Sequence, residues 1–553
     1  MLASTFSGLG ALLLAGLAAA QTPESACRSS NGSQPFDGMY REAARPQIHF
    51  SPSSGFMNDP NGMFIANGTH HLYYQYNPNS TVAGNQHWGH ATSPDGYEWT
   101  NQEIALAPER EGQGIFSGSA VIDVNNTSGF FDGTVAAETR IVAIYTLNTP
   151  TEQTQDIAYS RDGGYTFTKY EGNPVISINS TQFRDPKVFW DAQAQLWVMA
   201  VAHTQSWEIG FYTSPDLKTW EERSRFSSGL RGYQYECPDL IEVPVQGGPH
   251  DGQRAKVLVV SINPGAPLGG SVTQYFIGDL NSGSDGFEDF TFRTNDTAVR
   301  FTSFGKDEYA AQSFYNSGDE GAIYQAWLGN WQYAQAVPTA NATSGWRSEQ
   351  SLPRRLRLEW VQQNPQTWAY VLAQEPLSFG SLAGTDLAPS NVSGNTTVAL
   401  NGTGAFDVRA LFSLPANATV EPRANLRIRT QGEGFLDIGA DWAGDGATVF
   451  VDRRKAGTEW ADTNHFFTDR MSASLMPVPR VANDSSSDSL IEVRVVIDRI
   501  VSEAYYNNGT SVAAVLTFWD NDEVPSFVDV TTSSSQLKLE SLSVVPIASG
   551  WKC

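Results

Sequence analysis

The run Phe56-Met57-Asn58-Asp59-Pro60-Asn61-Gly62 stands directly before the apolar stretch Met63-Phe64-Ile65. Asn, Asp, Pro and Gly favour tight turns, so this run predicts a turn that opens a strand. Asp59 then lies at the mouth of that strand, on backbone that Pro60 makes stiff, between two Asn side chains able to hydrogen-bond a ligand or the turn itself. Taken alone, the run is an ordinary turn, and its interest comes from its repetition.

The same arrangement, a polar start followed by an apolar run, returns along the chain at steps of roughly 50 to 70 residues. The further starts are Ser117–Ile122, Arg184–Trp190, Glu236–Ile241 and Asp307–Ala311. Such spacing is typical of four-stranded propeller blades with their loops. Five starts predict five blades. If each start opens an innermost strand, Asp59, Asp185 and Glu236 meet at one end of the central channel.

A second phrase, Ser-x-Asp followed by a turn and an aromatic residue, occurs at 93–99, 160–167 and 214–220. Each copy follows a strand-like segment, so the phrase predicts hairpins at matching places in successive units. Beyond Leu358 the pattern changes. Alternating strands at 405–412, 426–429, 491–497 and 537–542 indicate a β-sandwich. We therefore predict an all-β protein with a five-bladed β-propeller at 40–365, a linker at 366–400 and a C-terminal β-sandwich at 401–553.

Residues 1–20 have the composition of a secretory signal peptide. The apolar run Leu9–Leu17 precedes Ala18-Ala19-Ala20, a small-residue cleavage pattern, and is too short to span a membrane comfortably. About fourteen Asn-x-Ser/Thr sequons also fit a secreted glycoprotein. We expect an extracellular or cell-wall location. Cys27 and Cys553 lie near opposite ends and are candidates for a disulfide, whose formation the sequence leaves open.

The formal net charge is −24 over 553 residues. This charge argues against nucleic acid or an anionic membrane as partner and favours a neutral or cationic ligand. The chain is also too long for one ordinary core, which agrees with two domains. No metal is expected, because His87 and His90 stand without a cluster of Cys or His around them.

Three acidic strand starts fit the cleavage of a glycosidic bond. That reaction needs one carboxylic acid to protonate the leaving oxygen and one carboxylate across the anomeric carbon. Glu236 has aromatic neighbours, where partial desolvation favours the protonated acid. Asp59, among hydrogen-bond donors, is expected to stay ionised as the nucleophile. Asp185, beside Arg184, is expected to stay ionised and to orient sugar hydroxyls, although a purely structural ion pair explains Arg184 and Asp185 equally well.

Groups suited to a small polyol surround these carboxylates. A sugar ring stacks its apolar face on an aromatic side chain and forms hydrogen bonds at its rim. Each aromatic residue taken alone is more typical of a core. The candidate substrate-binding residues are Asn58, Gln75, Trp88, Phe116, Ser117, Arg184 and Trp327.

Four blocks resemble, in order, the signature motifs of glycoside hydrolase family 32, which holds invertases, inulinases, levanases and related fructosyltransferases. They are Asn58–Gly62, Phe116–Ser119, Phe183–Pro186 and Tyr235–Pro238. The longer stretches 179–190, 232–238 and 261–267 are similar to secreted fungal and yeast invertases, which are β-fructofuranosidases. The resemblance runs from about Gln47 to Arg354 and continues more weakly to the C-terminus.

The resemblance implies a five-bladed propeller joined to a β-sandwich, and a retaining mechanism on sucrose or fructo-oligosaccharides without any cofactor. Asp59 would attack the anomeric carbon of fructose, and Glu236 would protonate the leaving glucose and then activate the acceptor. Asp185 would stabilise the transition state by holding fructose hydroxyls. The residues that match family positions lining the fructose pocket are Asn58, Gln75, Trp88, Ser117 and Arg184.

In one respect the chain departs from the family pattern. Ala83 stands where many relatives carry Trp. Loss of an aromatic wall on the leaving-group side predicts a wider acceptor space and appreciable transfer of fructose to sucrose.

Other functions stay open at this level. Among enzymes they are a dedicated fructosyltransferase making kestose-type products, an exo-inulinase or levanase, and an arabinan-cleaving propeller. A sugar-binding propeller lectin is the non-catalytic alternative, and the intact trio of carboxylates argues against it. The sandwich is a candidate surface for homodimerisation.

Overall fold

The structure, a computed structural model, describes residues 40, 42–282, 288–292, 299–318, 320–339, 345–400, 404–480 and 487–551. The predicted signal peptide, Cys27 and Cys553 lie outside these residues. In the described part, helices are single turns that lie between strands. They span Ala137–Thr139, Thr204–Ser206, Gly248–His250, Gly380–Leu382, Thr458–Ala461 and Asp520–Asp522. No helix in these ranges is long and apolar enough to cross a membrane.

The first part of the chain folds into successive antiparallel sheets of four main strands each. The first sheet contains β1 (Gly55–Ala66), β2 (Thr69–Asn77), β3 (His87–Ser93) and β4 (Thr100–Asn101). The second contains β5 (Gly114–Ile122), β6 (Ile141–Asn148), β7 (Gln153–Ser160) and β8 (Thr168–Lys169). The third contains β9 (Phe183–Asp191), β10 (Leu196–His203), β11 (Glu208–Ser214) and β12 (Glu221–Phe226).

Two more sheets complete the series. The fourth contains β13 (Tyr235–Gln246), β14 (Arg254–Ile262), β15 (Val272–Ser282) and β16 (Glu288–Phe292), with β17 (Arg300–Phe301) paired to β15. The fifth begins with β18 (Tyr309–Ser313) and β19 (Ile323–Leu328). The short strands β20 (Trp346–Arg347) and β21 (Glu349–Gln350) then pair with β1 and β19, and β22 (Arg354–Asn364) and β23 (Thr367–Pro376) finish the fifth sheet.

The first strands of the five sheets form a closed ring. Each contacts the next in the order β1, β5, β9, β13, β18, and β18 contacts β1. Neighbouring sheets pack face to face, as where Phe64 and Trp88 of the first sheet meet Ile115 and Tyr145 of the second. Because both faces are covered, middle strands such as β6 have a continuous apolar run, 141–145, that is fully buried. This is the predicted five-bladed propeller.

The predicted Ser-x-Asp hairpins lie where the third strand of a blade turns into the fourth. Ser93, Ser160 and Ser214 end β3, β7 and β11. In the first of these turns, Asp95 Oδ1 accepts hydrogen bonds from two following backbone N–H groups at 2.9 and 2.8 Å. The same pattern recurs at Asp162 and Asp216. The short side chain satisfies the turn backbone, which explains why the phrase repeats.

The C-terminal part is a sandwich of two six-stranded sheets. One contains, in chain order, β24 (Asn395–Ala399), β26 (Arg423–Arg429), β27 (Phe435–Ala443), β28 (Gly446–Lys455), β29 (Arg470–Leu475) and β34 (Phe527–Thr532). The other contains β25 (Ala405–Leu414), β30 (Val478–Pro479), β31 (Ser489–Asp498), β32 (Val501–Tyr506), β33 (Ser511–Leu516) and β35 (Lys538–Pro546). Alternate residues of facing strands, such as Leu426, Ile438 and Val495, fill the core between them.

The stretch 366–400, predicted as a linker, begins with regular structure. Strand β23 occupies Thr367–Pro376 and pairs with β22 in the fifth blade over nearly its whole length. Pro365 is in the β22–β23 turn and Pro376 ends β23, so neither interrupts the pairing of these strands. The strand β24 at Asn395–Ala399 already belongs to the sandwich.

Candidate active site

The three predicted carboxylates sit on three innermost strands, Asp59 on β1, Asp185 on β9 and Glu236 on β13. At each of these points the strand pairing is irregular. In β1 the register shifts between Met57 and Pro60, and in β9 it shifts directly after Arg184. In β13 it shifts between Glu236 and Asp239. Such bulges bend a strand and redirect its side chains. They bring side chains from distant parts of the chain to one mouth of the channel.

Left-handed backbone accompanies these bulges. Asp185, Cys237 and Ala310 have φ values of 66°, 48° and 54° at the starts of the third, fourth and fifth blades. A positive φ is costly for residues other than Gly, and such strain concentrates at functional sites. The positive φ recurs at the start of three blades, so the strained residues lie at the same end of the ring as the carboxylates.

A cavity of about 250 Å³ opens at this mouth. Its volume lies just below the usual range of about 300–1,000 Å³ for ligand pockets, which fits a single terminal sugar unit. Its lining residues are Asn58, Asp59, Gln75, Ala83, Gln86, Phe116, Ser117, Arg184, Asp185, Glu236, Asn263, Tyr309 and Trp331.

Asp59 is held by hydrogen-bond donors from three directions. Ser117 Oγ donates to Asp59 Oδ2 at 2.7 Å, and Asn58 Nδ2 donates to Oδ1 at 3.1 Å. The thiol of Cys237 lies 3.4 Å from Asp59 Oδ2 and 3.6 Å from Asp185 Oδ2. The carboxylate is therefore fixed in orientation, with the thiol between it and Asp185.

Asp185 is fixed mainly through backbone. Its Oδ2 accepts from the Cys237 N–H at 2.9 Å, and its own N–H donates to Thr146 Oγ1 at 3.1 Å. Burial, partly offset by the charge of Arg184, raises the pKa of Asp185 to about 7, and the charges of Glu236 and Asp59 contribute to that rise. Burial also raises the pKa of Asp59, against the hydrogen bond from Ser117.

Arg184 is committed to Glu236. Its Nη2 and Nε donate to Glu236 Oε1 at 2.8 and 3.2 Å, and the hydroxyl of Tyr309 donates to Oε2. The guanidinium turns to the neighbouring blade, so the alternative of a structural Arg184–Asp185 ion pair does not describe this structure. Burial opposes the expectation that Asp185 stays ionised, because it raises the pKa to about 7 even though the charge of Arg184 lowers it. Burial opposes the same expectation for Asp59.

Of the predicted substrate-binding residues, Asn58, Gln75, Phe116, Ser117 and Arg184 line the cavity. Gln75 Nε2 donates to Ile115 O at 3.0 Å, so the structure turns its amide nitrogen to the neighbouring strand. The amide also ties β2 to β5 next to Phe116.

The two predicted indoles lie elsewhere. Trp88 and Trp327 are fully buried, and neither lines the cavity. Trp88 Nε1 donates to Phe116 O at 3.0 Å, so it supports the wall from behind. Trp327 packs against Trp331 with ring centroids 4.7 Å apart, and Trp331 is the indole that reaches the cavity. The sequence contained the right segment, but nothing in it distinguished which Trp faces inwards.

Sequence reasoning missed four other lining residues, Gln86, Asn263, Tyr309 and Trp331. Asn263 lies in the stretch 261–267 that carried part of the family resemblance, and Tyr309 directly follows the fifth polar start. Both segments were visible in the sequence. Their side-chain directions depend on the bulges, which no sequence period reports.

Fold and site together define the class: a propeller protein whose channel mouth gathers three carboxylates, two of them buried, and an arginine, an arrangement suited to acid–base chemistry on a sugar. Comparison with known proteins specifies it further. Residues 49–375 match the model of the glycosyl hydrolases family 32 N-terminal domain, and residues 380–546 match that of the family 32 C-terminal domain. The chain belongs to glycosyl hydrolase family 32, and is thus an enzyme, a glycosidase, with a small sugar as substrate.

Named relatives agree in length as well as sequence. The chain is 41% identical to invertase 2 of Saccharomyces cerevisiae over 514 residues, which is 89% of this chain and 93% of that protein. It is 41% identical to an extracellular exo-inulinase of Meyerozyma guilliermondii, over 91% and 95% of the two chains. A fructofuranosidase of Schwanniomyces occidentalis solved with fructose matches at a TM-score of 0.83 and 40% identity, over 92% and 99% of the two chains.

Proposed function

We propose that this enzyme is a secreted β-fructofuranosidase that removes the terminal β-D-fructofuranosyl unit of sucrose and passes it to water and, in part, to a second sucrose. The observation that carries the proposal is the convergence of Asp59, Asp185 and Glu236 on one small cavity in a chain of family 32. Invertases and a fructofuranosidase among the relatives support the choice of substrate.

We assign the roles as the family resemblance implies, and the contacts support them. Asp59, oriented by Ser117 and Asn58, attacks the anomeric carbon of fructose and forms the covalent fructosyl-enzyme. Glu236 gives its proton to the glycosidic oxygen, and glucose leaves. Water or a sugar hydroxyl then gives a proton to Glu236, its oxygen bonds to the anomeric carbon, and Asp59 is released. Asp185 holds fructose hydroxyls during both steps.

The crowding of three carboxyl groups around one guanidinium suits this cycle. Arg184 forms its ion pair with Glu236, and burial raises the pKa of Asp185. Asp185 therefore retains its proton up to about pH 7. Acid catalysis needs one proton in the cluster, so activity is expected on the acid side of neutrality.

Glucose and free fructose released from concentrated sucrose test the proposal, with Asp59→Ala as the blank. Glucose release that the blank abolishes supports it, and fructose equal to glucose identifies water as the acceptor. Release from fructans or aryl-arabinosides but not from sucrose would favour the exo-inulinase or arabinanase alternative. Fructose binding that persists in Asp59→Ala and Glu236→Ala, without any turnover by the wild type, would identify a lectin.

The transferase component rests on Ala83, which lines the cavity beside Trp331 in place of a family Trp. The ratio of glucose to free fructose at high sucrose measures transfer. Ala83→Trp is expected to lower the transferred fraction about threefold, because an indole there would restrict the acceptor. Val82→Trp is the control, since Val82 is 40% exposed and outside the lining. A wild-type ratio of one contradicts the transfer to sucrose.

Secretion is supported by the sequence of residues 1–20, by the sequons and by the name of the extracellular relative. Mass spectrometry of protein recovered from culture medium, with and without enzymatic deglycosylation, tests both location and glycan occupancy. We also propose the sandwich as a homodimer surface, which sedimentation of the purified enzyme tests directly.

A further inference from the structure

Tyr309 is the one donor to Glu236, among the described residues, that comes from the fifth blade. Its hydroxyl donates to Glu236 Oε2, opposite the oxygen that Arg184 contacts. Tyr309 is 1% exposed, and burial together with the charge of Glu236 holds its pKa well above the ordinary value. The hydroxyl therefore keeps its proton throughout the working range and acts only as a donor.

The direction of the Tyr309 side chain is set by the strand start that precedes it. Ala310, the next residue, has φ 54°, and the pairing of β18 with β19 is irregular between Tyr309 and Gln312. Ala310 N–H donates to Ser261 Oγ of the fourth blade at 3.2 Å. A bulge of this kind turns a side chain, so whatever fixes residues 303–308 also fixes the tyrosine.

Those preceding residues are bound to the sandwich. Phe304 N–H donates to Val512 O at 2.8 Å, and Asp307 N–H donates to Ala514 O at 3.2 Å. Gly305 passes so close to β33 that an added Cβ would lie 2.2 Å from Ala514 O. The segment thus runs along β33, the sandwich strand that faces the propeller here.

A buried ion pair secures this contact. Asp307 Oδ2 accepts from Arg453 Nη1 at 2.6 Å and from Leu516 N–H at 2.9 Å, and both charged side chains are fully buried. Arg453 belongs to β28 of the sandwich and also donates to Leu516 O at 2.7 Å and to the Tyr333 hydroxyl at 3.3 Å. Tyr333 in turn donates to Asp307 Oδ1. Asp307 lies two residues before Tyr309.

We propose that Asp307 and Arg453 are positioning residues for the acid–base step: their ion pair between propeller and sandwich fixes the start of β18 and so holds the Tyr309 hydroxyl on Glu236. The sandwich is then part of the catalytic machinery of the propeller. The inference rests on the proposed function, because the proposed function gives Glu236 the acid–base role.

Several charged or titratable groups face Glu236 from the surrounding strands. Arg184 and Asp185 face it from β9, Asp59 from β1 and Cys237 from its own strand, besides Tyr309 itself. Among these groups, Tyr309 is the one that lies on the strand start bound by the Asp307–Arg453 pair. A hydroxyl that donates to a carboxylate stabilises its ionised form. Its loss is therefore expected to move the alkaline limb of the pH profile of kcat/KM to higher pH.

The experiment compares pH profiles of kcat/KM on sucrose for the wild type, Tyr309→Phe, and the double variant Asp307→Asn/Arg453→Met. Removing both charges avoids leaving one of them buried without a partner. Both variants are expected to move the alkaline limb upwards by about 0.5–1 pH unit, with the larger effect in kcat. Tyr333→Phe, which removes one donor to Asp307 and no charge, is expected to give a smaller shift in the same direction.

The matched control is Asp407→Asn/Arg494→Met, which removes an ion pair of 2.9 Å between two adjacent strands of one sandwich sheet, each side chain less than one-tenth exposed. It is expected to lower the melting temperature and leave the limb in place. The inference is overturned if Tyr309→Phe moves the alkaline limb while the folded double variant and Tyr333→Phe keep it at the wild-type pH. That result leaves the proposed function standing. A wild-type limb in Tyr309→Phe overturns the inference as well. No turnover of sucrose by the wild type overturns the proposed function itself.

Discussion

At the scale of single residues, Asp185 combines a place in the proposed active site with a cost in stability. It is buried, and its guanidinium neighbour pairs with Glu236 instead. An unfolded Asp loses its proton near pH 4, whereas the folded carboxyl keeps it until about pH 7. Between those values the unfolded state binds fewer protons than the folded state. The free energy of unfolding therefore falls as pH rises through this window.

Asp185→Asn removes this pH-dependent loss of unfolding free energy. The variant is expected to be more stable than the wild type at about pH 8, by on the order of 2 kcal/mol, with the advantage gone below about pH 4. Denaturant unfolding at the two pH values measures it, and sucrose hydrolysis is expected to be lost. Asp162→Asn is the control of opposite sign, because hydrogen bonds hold the pKa of Asp162 below its usual value despite its partial burial. An advantage for Asp185→Asn that is independent of pH would contradict this account.

Residue identities in the site were largely predictable, and residue directions were not. Asp59, Asp185 and Glu236 could be predicted because they stand at the starts of repeated strands. The pairing of Arg184 stayed open, because adjacency in sequence offered Asp185 as a partner, whereas side chains of adjacent strand residues point to opposite faces. The partner Glu236 lies on the next blade, 52 residues away. The choice between Trp327 and Trp331 likewise depends on packing that a single sequence does not contain.

At the scale of elements, the blade strands and their Ser-x-Asp turns follow from the sequence, and the bulges at the channel mouth do not. A bulge is one extra residue in a register, so it leaves hydrophobic alternation almost unchanged. Gly62 is the exception with a signal. It ends the Asn58–Gly62 run, has φ 51°, and lies in the second register shift of β1. It also lies against the rings of Tyr73 and Trp88.

Gly62→Ala tests how far this element supports the site. An added Cβ would lie 2.7 Å from Tyr73 Cδ2 and 2.8 Å from Trp88 Cζ3, on top of the left-handed strain. We expect the variant to lose about 2–4 kcal/mol of stability and most of its activity, because Trp88 supports Phe116 in the cavity wall. Gly68→Ala is matched: φ is 75° and nothing lies within 4 Å of the added Cβ. Its cost is expected to be about 1–2 kcal/mol with activity retained. Equal losses for the two variants, measured by thermal unfolding, would refute the packing argument.

At the scale of the whole molecule, propeller and sandwich are joined by buried charges as well as apolar contacts. Asp498 accepts hydrogen bonds from the backbone of 47–49 and from His49 Nδ1, at 2.7 to 3.0 Å. Glu503 lies 3.4 Å from His49 Nε2 and 3.0 Å from Arg354 Nη2. The two carboxylates come from the sandwich, and the two cations come from the propeller chain. The sequence pattern does not show this junction, because its partners lie far apart along the chain.

This junction predicts how the stability of the entire enzyme depends on pH. Burial alone would lower the pKa of His49, but hydrogen bonds and charge from Asp498 and Glu503 raise it to about 9. A folded pKa above the unfolded value of about 6.5 stabilises the protein fully below that value, and the contribution is lost as pH rises to about 9. The wild type is therefore expected to lose on the order of 3 kcal/mol of unfolding free energy between about pH 6.5 and 9. His49→Gln should be less stable at about pH 6 and should lose less stability across this window than the wild type, keeping only the part that the buried Glu349 contributes up to about pH 8. His465→Gln, at an exposed position, should follow the wild type. Denaturant unfolding at several pH values checks all three, and a slope in His49→Gln as steep as that of the wild type would place the titrating group elsewhere. Because the buried Glu349, whose pKa burial raises to about 8, acts in the same direction, the whole molecule should be most stable on the acid side of neutrality, where Asp185 also keeps its proton.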